Sequence, residues 1–362
     1  MRPLLVDLGR DYRGGQHQAL LLLQGLRERG HAPELIAVRD SLLASRAQEI
    51  GAPVHVVDAG RRRLAAALQI RKLLREHRID LVHANEPHAL SSAWLARTHR
   101  TIPIAISRRI ALPLSQGLFS LARYRAASRV VAVSHFVEQS VIQSGLSAGS
   151  VSVIYDGVQI PPEISQPQLE GARKQFGIPR EIPCIGYVAA FVPEKGHALL
   201  LDAFAKLRAQ FPNCILLLRG EGPELSTLQS LARKLHVADA VKFLPPTIEI
   251  ETMFAAMDIF AFPSHEEPLG SALLAAMAHG LPLAAIARGG IPEAVEDGKN
   301  GLLLKDLDSD AFASAIARLV AHPDEATRLG RAARETILAR FSANRMVEET
   351  LHLYKNLVTG DK

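Results

Sequence analysis

The sequence predicts an α/β protein made of two tandem domains, each with a doubly wound parallel sheet. The chain has 362 residues, which is more than one ordinary core holds and suits two domains of roughly 150 to 200 residues. Short apolar runs alternate with amphipathic segments in both halves, as in parallel sheets whose strands are joined by helices. A proline-rich stretch, residues 157–171, interrupts this alternation and is interpreted as a linker.

The linker divides the chain into a first domain at residues 1–160 and a second at 161–341. We expect the last helix, residues 342–358, to pack back on the first domain. A cleft between two such domains is the default place for a ligand.

The first domain contains six predicted strands and five predicted helices. The strands are residues 3–8, 35–38, 79–83, 102–107, 129–133 and 151–154, and the helices are 18–29, 63–77, 88–99, 118–127 and 134–144. Gly14 and Gly15 come between the first strand and its helix. They suit either a phosphate-binding turn, where the backbone approaches a ligand closely, or a plain tight turn.

The second domain repeats the alternation. Its predicted strands are 182–188, 214–219, 240–244 and 259–262, and residues 260–303 contain further strands. Its predicted helices are 197–210, 224–236, 250–256, 309–320 and 324–339. Lys195 lies on a loop between a strand and a helix, where a cation beside a helix N-terminus suits a diphosphate.

Residues 260–303 are the most informative stretch of the chain. They read strand, acidic loop, helix, strand, diglycine loop, helix start and strand, so that Glu267 and Glu293 are expected on loops at one edge of a parallel sheet. Two helix N-termini, near Gly270 and Gly290, are expected at the same edge. Because helix N-termini carry unsatisfied N–H groups and a partial positive charge, this edge is suited to bind phosphate.

The amino-acid composition indicates a soluble protein with a large buried core. Apolar residues make up 48% of the chain and the mean hydropathy is +0.09, as in a soluble protein with a large core. No apolar run approaches the 18 residues of a membrane span, and the N-terminus does not resemble a secretory signal, so we expect a cytoplasmic protein. Cys184 and Cys214 lack disulfide or metal spacing and are read as small buried hydrophobes.

The charge is uneven along the chain. Residues 1–160 hold 21 lysines and arginines against 12 acidic residues, whereas residues 161–362 hold 21 against 25. In the first half 20 of the 21 cations are arginine, the side chain that binds phosphate and carboxylate through two nitrogens. This asymmetry indicates either an anionic acceptor or membrane surface, or simply an arginine-rich solvated surface. No nucleic-acid partner is indicated.

Eleven motifs, in order along the chain, resemble those of the retaining glycosyltransferases of family 4. They are RGGQ, DLVHANEP, SRRIALPLS, VVAVSHFVEQS, VIYDGV, PEKGH, RGEGPEL, VKFL, PSHEEPLG, GGIPE and GLLL, and they cover essentially the whole chain. The resemblance implies the two-domain GT-B fold, with the acceptor on the first domain and a nucleotide sugar on the second. It also implies sugar transfer with retention and no bound metal or other cofactor.

The resemblance assigns roles to individual residues. Lys195 and Glu267 match the diphosphate lysine and the first glutamate of the paired-glutamate motif, and with Arg108 they are the candidate catalytic residues. The candidate donor-binding residues are those of the glycine loops, the VKFL strand and the segment around Glu267, namely Gly14, Gly15, Gly220, Glu221, Phe243, Leu244, Leu269, Gly270, Ser271, Ala275 and Glu293. Glu293 suits either donor contact or a helix start favoured by the macrodipole.

Three positions depart from the family pattern. The second glutamate of the pair, which the family uses to bind the ribose, is Ala275, and an arginine frequent before the lysine is Ala190. The acceptor-side histidine is missing where Arg108 and Arg109 stand, and these arginines suit either an anionic acceptor or structural ion pairs. His83 and His88 suit a structural role more readily than that of a general base.

We therefore predict a glycosyltransferase that moves a sugar from a nucleotide diphosphate donor to an anionic glycan or lipid-linked acceptor, in bacterial cell-envelope or lipopolysaccharide synthesis. The alternative is a sugar-nucleotide-binding protein without activity, which the alanine at position 275 favours. A nucleotide-sugar epimerase of the same architecture fits the motif order less well.

Overall fold

The computed structural model describes residues 1–115 and 117–360 and divides the chain into two compact units. The first unit consists of Met1–Gly157 and Phe341–Lys362, and the second of Val158–Arg340. No helix among the described residues has the length and the apolar character that crossing a bilayer requires.

The first unit is a seven-stranded parallel sheet with helices between its strands. The strands are β1 (Pro3–Val6), β2 (Glu34–Val38), β3 (Val54–Val57), β4 (Leu81–Ala84), β5 (Ile104–Arg108), β6 (Arg129–Ala132) and β7 (Val151–Val153). The helices are α1 (Gly14–Glu28), α2 (Leu42–Glu49), α3 (Arg62–Glu76), α4 (Pro87–Leu95), α5 (Leu118–Arg125) and α6 (His135–Gln143). The strand order β3-β2-β1-β4-β5-β6-β7 reverses between β1 and β4, and in such sheets ligands bind at that reversal.

The second unit repeats this design with six strands. Its strands are β8 (Cys184–Val188), β9 (Ile215–Arg219), β10 (Val241–Leu244), β11 (Ile259–Phe262), β12 (Leu283–Ile286) and β13 (Leu302–Leu304). Its helices are α7 (Gln166–Gln175), α8 (His197–Gln210), α9 (Leu225–Lys234), α10 (Ile250–Ala256), α11 (Ser271–Ala278), α12 (Ile291–Ala294), α13 (Ser309–Ala321) and α14 (Pro323–Thr336). The parallel order β10-β9-β8-β11-β12-β13 reverses between β8 and β11, which confirms the predicted fold class.

The last helix, α15 (Ala343–Thr359), belongs to the first unit and packs against α1. The contact is close at Gly25, where an added Cβ would lie 2.5 Å from a methyl group of Val347. Tyr354 of the same helix is fully buried and its hydroxyl bonds His83 Nδ1. The amphipathic C-terminal segment thus completes a core that begins elsewhere in the chain.

Three elements lie where the sequence indicated none. Helix α2 begins after Ser41, whose hydroxyl accepts a hydrogen bond from the Ala44 amide, and leads to the half-exposed edge strand β3. Helix α7 begins inside the segment interpreted as linker, because Ser165 and Gln168 form a reciprocal capping box at its N-terminus. The proline content masked this start, although proline is well tolerated in the first turn of a helix.

Candidate functional site

Lys195 and Glu267 meet at the carboxyl edge of the second sheet. Lys195 ends a short 3-10 turn after β8, and Glu267 lies on the loop after β11, so the two residues flank the reversal of strand order. Their side chains form an ion pair with 2.5 Å between Lys195 Nζ and Glu267 Oε1. Both side chains are mostly buried, 23% and 12% exposed, so water screens the pair only partly.

Buried hydroxyl groups hold this ion pair in place. Ser264 Oγ donates to Glu267 Oε1 at 3.0 Å, so that one carboxylate oxygen accepts two hydrogen bonds. Tyr187 OH donates to the Lys195 carbonyl at 2.9 Å and lies 3.2 Å from Ser264 Oγ. Burial raises the pKa of Tyr187 above its usual range, so its hydroxyl remains a donor. Neither Tyr187 nor Ser264 was among the predicted site residues.

A backbone contact couples the Glu267 loop to the diglycine loop before α12. Gly290 N donates to the Glu267 carbonyl at 2.8 Å, and a Cβ on Gly289 would lie 2.0 Å from that same oxygen. Gly289 has a φ of +61°, which glycine adopts without strain. Glu293 belongs to the four-residue helix α12 rather than to a loop as expected, and it is half-buried. A glutamate in the first turn of a helix is favoured by the macrodipole.

Helix α11 presents one accessible stripe beside Glu267. It begins after Gly270, whose φ of +90° turns the chain sharply, while Leu269 is buried. Ser271 is exposed and Ala275 is half-buried, as expected for positions one turn apart on one side of a helix. The accessible side of α11 therefore carries no carboxylate at position 275.

The glycine-rich turn after β9 is tied to the loop after β8. Phe191 N donates to the Glu221 carbonyl at 2.8 Å, and a Cβ on Gly220 would lie 1.9 Å from the Ala189 carbonyl oxygen. The Phe191 ring packs edge-on against Phe243, with 6.0 Å between ring centroids, and Gly220 N donates to Leu244 O at 3.0 Å. The predicted donor-binding residues of β9 and β10 thus form one continuous edge.

His197, the first residue of α8, is an unassigned buried group beside this site. It is 2% exposed, and neither ring nitrogen has a hydrogen-bond partner among the described residues. Its ring lies 4.9 Å from that of Tyr187 and 5.0 Å from that of Phe191. Burial, together with the charge of Lys195, lowers the pKa of His197 to about 4, so the imidazole is neutral at physiological pH.

The first unit has its own polar network at the carboxyl edge of its sheet. Asn85, after β4, donates to Asp7 Oδ2 at 2.5 Å and to the Gly15 carbonyl at 3.0 Å. Arg109, after β5, donates to Asn85 Oδ1 at 2.7 Å and to Asp156 Oδ1 at 2.9 Å. The network fixes the diglycine start of α1 in position. Asp7 and Asn85 were missed, although both are polar residues that directly follow buried strands.

The structure brings Arg109, and not Arg108, to the diglycine loop. A Cβ on Gly15 would lie 3.8 Å from Arg109 Cδ, whereas Gly14 is exposed. Arg108 is 5% exposed, and its guanidinium donates to Tyr124 OH and to the Leu112 carbonyl. These bonds favour the structural alternative for Arg108, because its side chain ends inside the unit and is engaged by the protein itself.

The two histidines considered as bases also differ in position. His83 is buried in β4, with Nε2 2.7 Å from Ser107 Oγ and Nδ1 bonded to Tyr354 OH. Burial lowers its pKa to about 3, so His83 is a neutral structural residue. His88, in the first turn of α4, is half-buried, and its pKa is lowered by burial and by nearby arginines.

Two family models match the chain, one in each half. "Glycosyltransferase Family 4" matches residues 12–160, and "Glycosyl transferases group 1" matches residues 170–336.

Two relatives and one solved structure illustrate the similarity. A GDP-mannose-dependent alpha-(1-6)-phosphatidylinositol monomannoside mannosyltransferase of Mycobacterium tuberculosis is 30% identical over 295 residues, 76% of this chain and 75% of that protein. The lipopolysaccharide core biosynthesis glycosyltransferase LpsE of Rhizobium meliloti is 33% identical over 181 residues, 50% of this chain and 52% of that one. The Anabaena protein Alr3699/HepE, crystallised with UDP and glucose, is 25% identical with a TM-score of 0.85, covering 99% of this chain and 100% of that one. The chain therefore belongs to family 4 of the glycosyltransferases and is a glycosyltransferase of the GT-B fold.

Proposed function

We propose that this glycosyltransferase moves a sugar, with retention at the anomeric carbon, from a nucleoside diphosphate donor to an anionic glycan or lipid-linked acceptor in bacterial cell-envelope or lipopolysaccharide synthesis. The observation that carries the donor half of this proposal is the Lys195–Glu267 pair at the reversal of strand order. The Anabaena relative crystallised with UDP and glucose, and the Rhizobium relative acting in lipopolysaccharide core synthesis, support the donor class and the pathway.

Lys195 supplies positive charge beside the proposed position of the leaving diphosphate. When the glycosidic bond breaks, negative charge grows on the leaving diphosphate, and an ammonium group already held in place stabilises that charge. In the free protein this ammonium is paired with Glu267. A bound diphosphate would compete for it, and the N-terminus of α11 after Gly270 would offer further N–H donors to the phosphates.

Glu267 is suited to orient the donor sugar rather than to attack it. Its Oε1 already accepts from Lys195 and Ser264, so its position is fixed and its charge is partly neutralised. Retention would then proceed by attack on the same face as the departing diphosphate, which helps to deprotonate the acceptor. The proposal includes no metal and no other cofactor, since Lys195 and the helix N-terminus provide the positive charge.

A coupled assay against a panel of nucleotide sugars, with calorimetry of free nucleoside diphosphates, tests the function. Release of nucleoside diphosphate that depends on the donor sugar is the expected result. Binding of nucleoside diphosphates without turnover would instead support the second candidate, a sugar-nucleotide-binding protein without activity. That candidate is favoured by Ala275 and by the exposed Ala190, which leave Lys195 and Glu267 with fewer charged neighbours.

Restoring a carboxylate on α11 is expected to strengthen donor binding. In Ala275→Glu the new side chain would extend from the accessible stripe of α11 that also carries Ser271. A charge-assisted hydrogen bond to a ribose hydroxyl is worth about 1.5 to 3 kcal/mol, so the KM for the donor should fall about 10- to 100-fold. Initial rates at varied donor concentration measure this.

The matched control is Ala275→Gln, which adds the same bulk without the charge. Equal KM values in the wild type, Ala275→Glu and Ala275→Gln would contradict a ribose contact at this position. No donor hydrolysis or transfer with any donor, even in Ala275→Glu, would contradict catalysis itself.

An anionic membrane is the proposed setting of the acceptor. Leu64 and Leu68 on α3 and Phe119 on α5 are apolar side chains 59%, 65% and 79% exposed. Arg62 and Arg63 directly precede Leu64 at the start of α3, and Arg123 lies one turn after Phe119 on α5. Exposed apolar side chains flanked by arginines suit the surface of an anionic bilayer.

Co-sedimentation with vesicles containing anionic phospholipid measures this association. We expect binding that weakens as salt is raised, and about tenfold weaker binding in Phe119→Ser, because one exposed aromatic side chain no longer enters the bilayer. Leu42→Ser, an exposed leucine on α2, is the control and should bind like the wild type. Equal binding to neutral and anionic vesicles, or unchanged binding of Phe119→Ser, would contradict the proposal.

A further inference from the structure

Three potential metal ligands meet at the amino edge of the first sheet, at the end of the strands opposite to the diglycine loop. His55 Nε2 lies 2.8 Å from Glu34 Oε2, and His77 Nδ1 lies 2.8 Å from Glu34 Oε1. One donor atom from each of the three side chains can be chosen so that all lie within 4.8 Å of one another. The family resemblance assigns no role to any of them.

The topology accounts for this meeting. In the parallel pairing of β2 and β3, Ile36 lies opposite His55, and Glu34 is two residues before Ile36 and therefore on the same face of the sheet. Helix α3 follows β3, packs on these strands and ends at Glu76, so that its C-cap residue His77 returns to the same edge. The sheet and helix α3 thus hold Glu34, His55 and His77 together, although the three residues are distant in sequence.

Glu34 is a buried carboxylate at this edge, so its partners matter. Its side chain is 5% exposed, and a buried carboxylate is costly unless it is paired or bound to a metal. The fixed cation nearest to it among the described residues is Arg2, whose Nε lies 3.8 Å away on a side chain that is 43% exposed. The imidazoles of His55 and His77 complete its surroundings.

We propose that Glu34, His55 and His77 bind one divalent transition-metal ion, with Zn²⁺ as the ion whose preferences they match. Zn²⁺ takes imidazole nitrogen and carboxylate oxygen at about 2.0 to 2.2 Å, so its ligand atoms lie about 3 to 4 Å apart. The observed spacing fits after small side-chain adjustments. His55 and His77 are 22% and 36% exposed, which leaves solvent access for water to complete the coordination.

The ion would act on stability and not in sugar transfer. It would link the edge strand β3 and the end of α3 to β2, at the strand ends opposite to Asp7, Asn85 and Gly15. Metal bound only to the folded state stabilises it by mass action, so Zn²⁺ should raise the Tm of the first unit. At a free concentration about 100-fold above the Kd, the rise should be about 5 to 10 °C.

The test uses the full chain, without a histidine tag and stripped of metal by chelator. Calorimetric titration with Zn²⁺ should give one ion per chain, and scanning calorimetry should give the rise in Tm. In His55→Gln and His77→Gln the amide still donates a hydrogen bond to Glu34 but is a poor metal ligand. Both variants should fold, keep their transferase activity and lose stoichiometric binding of Zn²⁺.

The control is His352→Gln, which removes an exposed histidine of α15 and should bind Zn²⁺ like the wild type. Absence of stoichiometric binding by the wild type would overturn the proposal and would leave Glu34 as a hydrogen-bond partner of two histidines. Retained binding in His55→Gln and His77→Gln would overturn it as well, since the ion would then bind elsewhere. If either variant fails to fold, the other serves alone, and circular dichroism reports the fold of each.

Discussion

Replacing Lys195 by alanine is expected to lower kcat for sugar transfer by about 100- to 1,000-fold, the usual effect of removing one preorganised group that stabilises developing charge. The loss should fall mainly on kcat, because the charge on the diphosphate grows as the glycosidic bond breaks. Removal of the ammonium also leaves Glu267, 12% exposed, with Ser264 as its remaining side-chain donor. Steady-state rates with the preferred donor measure the effect.

Two further variants distinguish stabilisation of the leaving diphosphate from the mere loss of one positive charge on the protein. Lys234→Ala removes an exposed lysine of α9 and should leave kcat unchanged. Lys195→Arg keeps the charge in a different shape, and we expect partial activity. A kcat for Lys195→Ala within threefold of the wild type, with the fold intact by circular dichroism, would show that the lysine does not act on the leaving group.

Replacing Gly289 by alanine is expected to destabilise the second unit and to impair transfer. The added Cβ would lie 2.0 Å from the Glu267 carbonyl oxygen, at a residue whose φ is +61°. Left-handed backbone costs an alanine about 1 to 2 kcal/mol, and relief of the clash costs about 1 to 3 kcal/mol more. At about 3 °C per kcal/mol for a unit of this size, the Tm should fall by about 6 to 15 °C, as measured by scanning calorimetry.

Gly298→Ala is the matched control. Gly298 has a φ of +70°, and no heavy atom lies within 4 Å of the position that its Cβ would take. It therefore carries the backbone cost without the clash, and at the same conversion the Tm should fall by only about 3 to 6 °C. An equal fall in Tm in the two variants would mean that the contact between the diglycine loop and the Glu267 loop does not stabilise the unit. Sugar transfer should then survive in both variants.

Much of the fold could be predicted from the order of apolar segments, since periodicity is a local property. Helix α8 and strand β11 lie at residues 197–210 and 259–262 as predicted. Strand β3 could not be identified in this way, because it is half-exposed at the edge of the sheet and lacks a continuous apolar run. Helix α7 was missed for a different reason, since its capping box lies among prolines.

The candidate site was predictable where chemistry is concentrated in short motifs. Lys195 and Glu267 are 72 positions apart, yet each follows a buried strand, and the rule that ligands gather at the reversal of strand order brings them together. Their catalytic roles, like those of the donor-binding residues, remain predictions that the variants above address. The sequence did not distinguish Arg108 from Arg109, which alternate faces at the end of β5.

The sequence by itself determined the class of fold, the family and the edge of each sheet where ligands belong, because these follow from local periodicity, motif order and the rules of parallel sheets. Only the tertiary structure decided which polar groups are buried and what each one contacts. Burial encloses the Arg108 side chain and keeps His83 neutral, and contacts between distant segments couple Tyr187 and Ser264 to the ion pair and bring Glu34 to two histidines. Such outcomes depend on contacts between distant segments, and the free energy of a charged or polar group is set by those contacts.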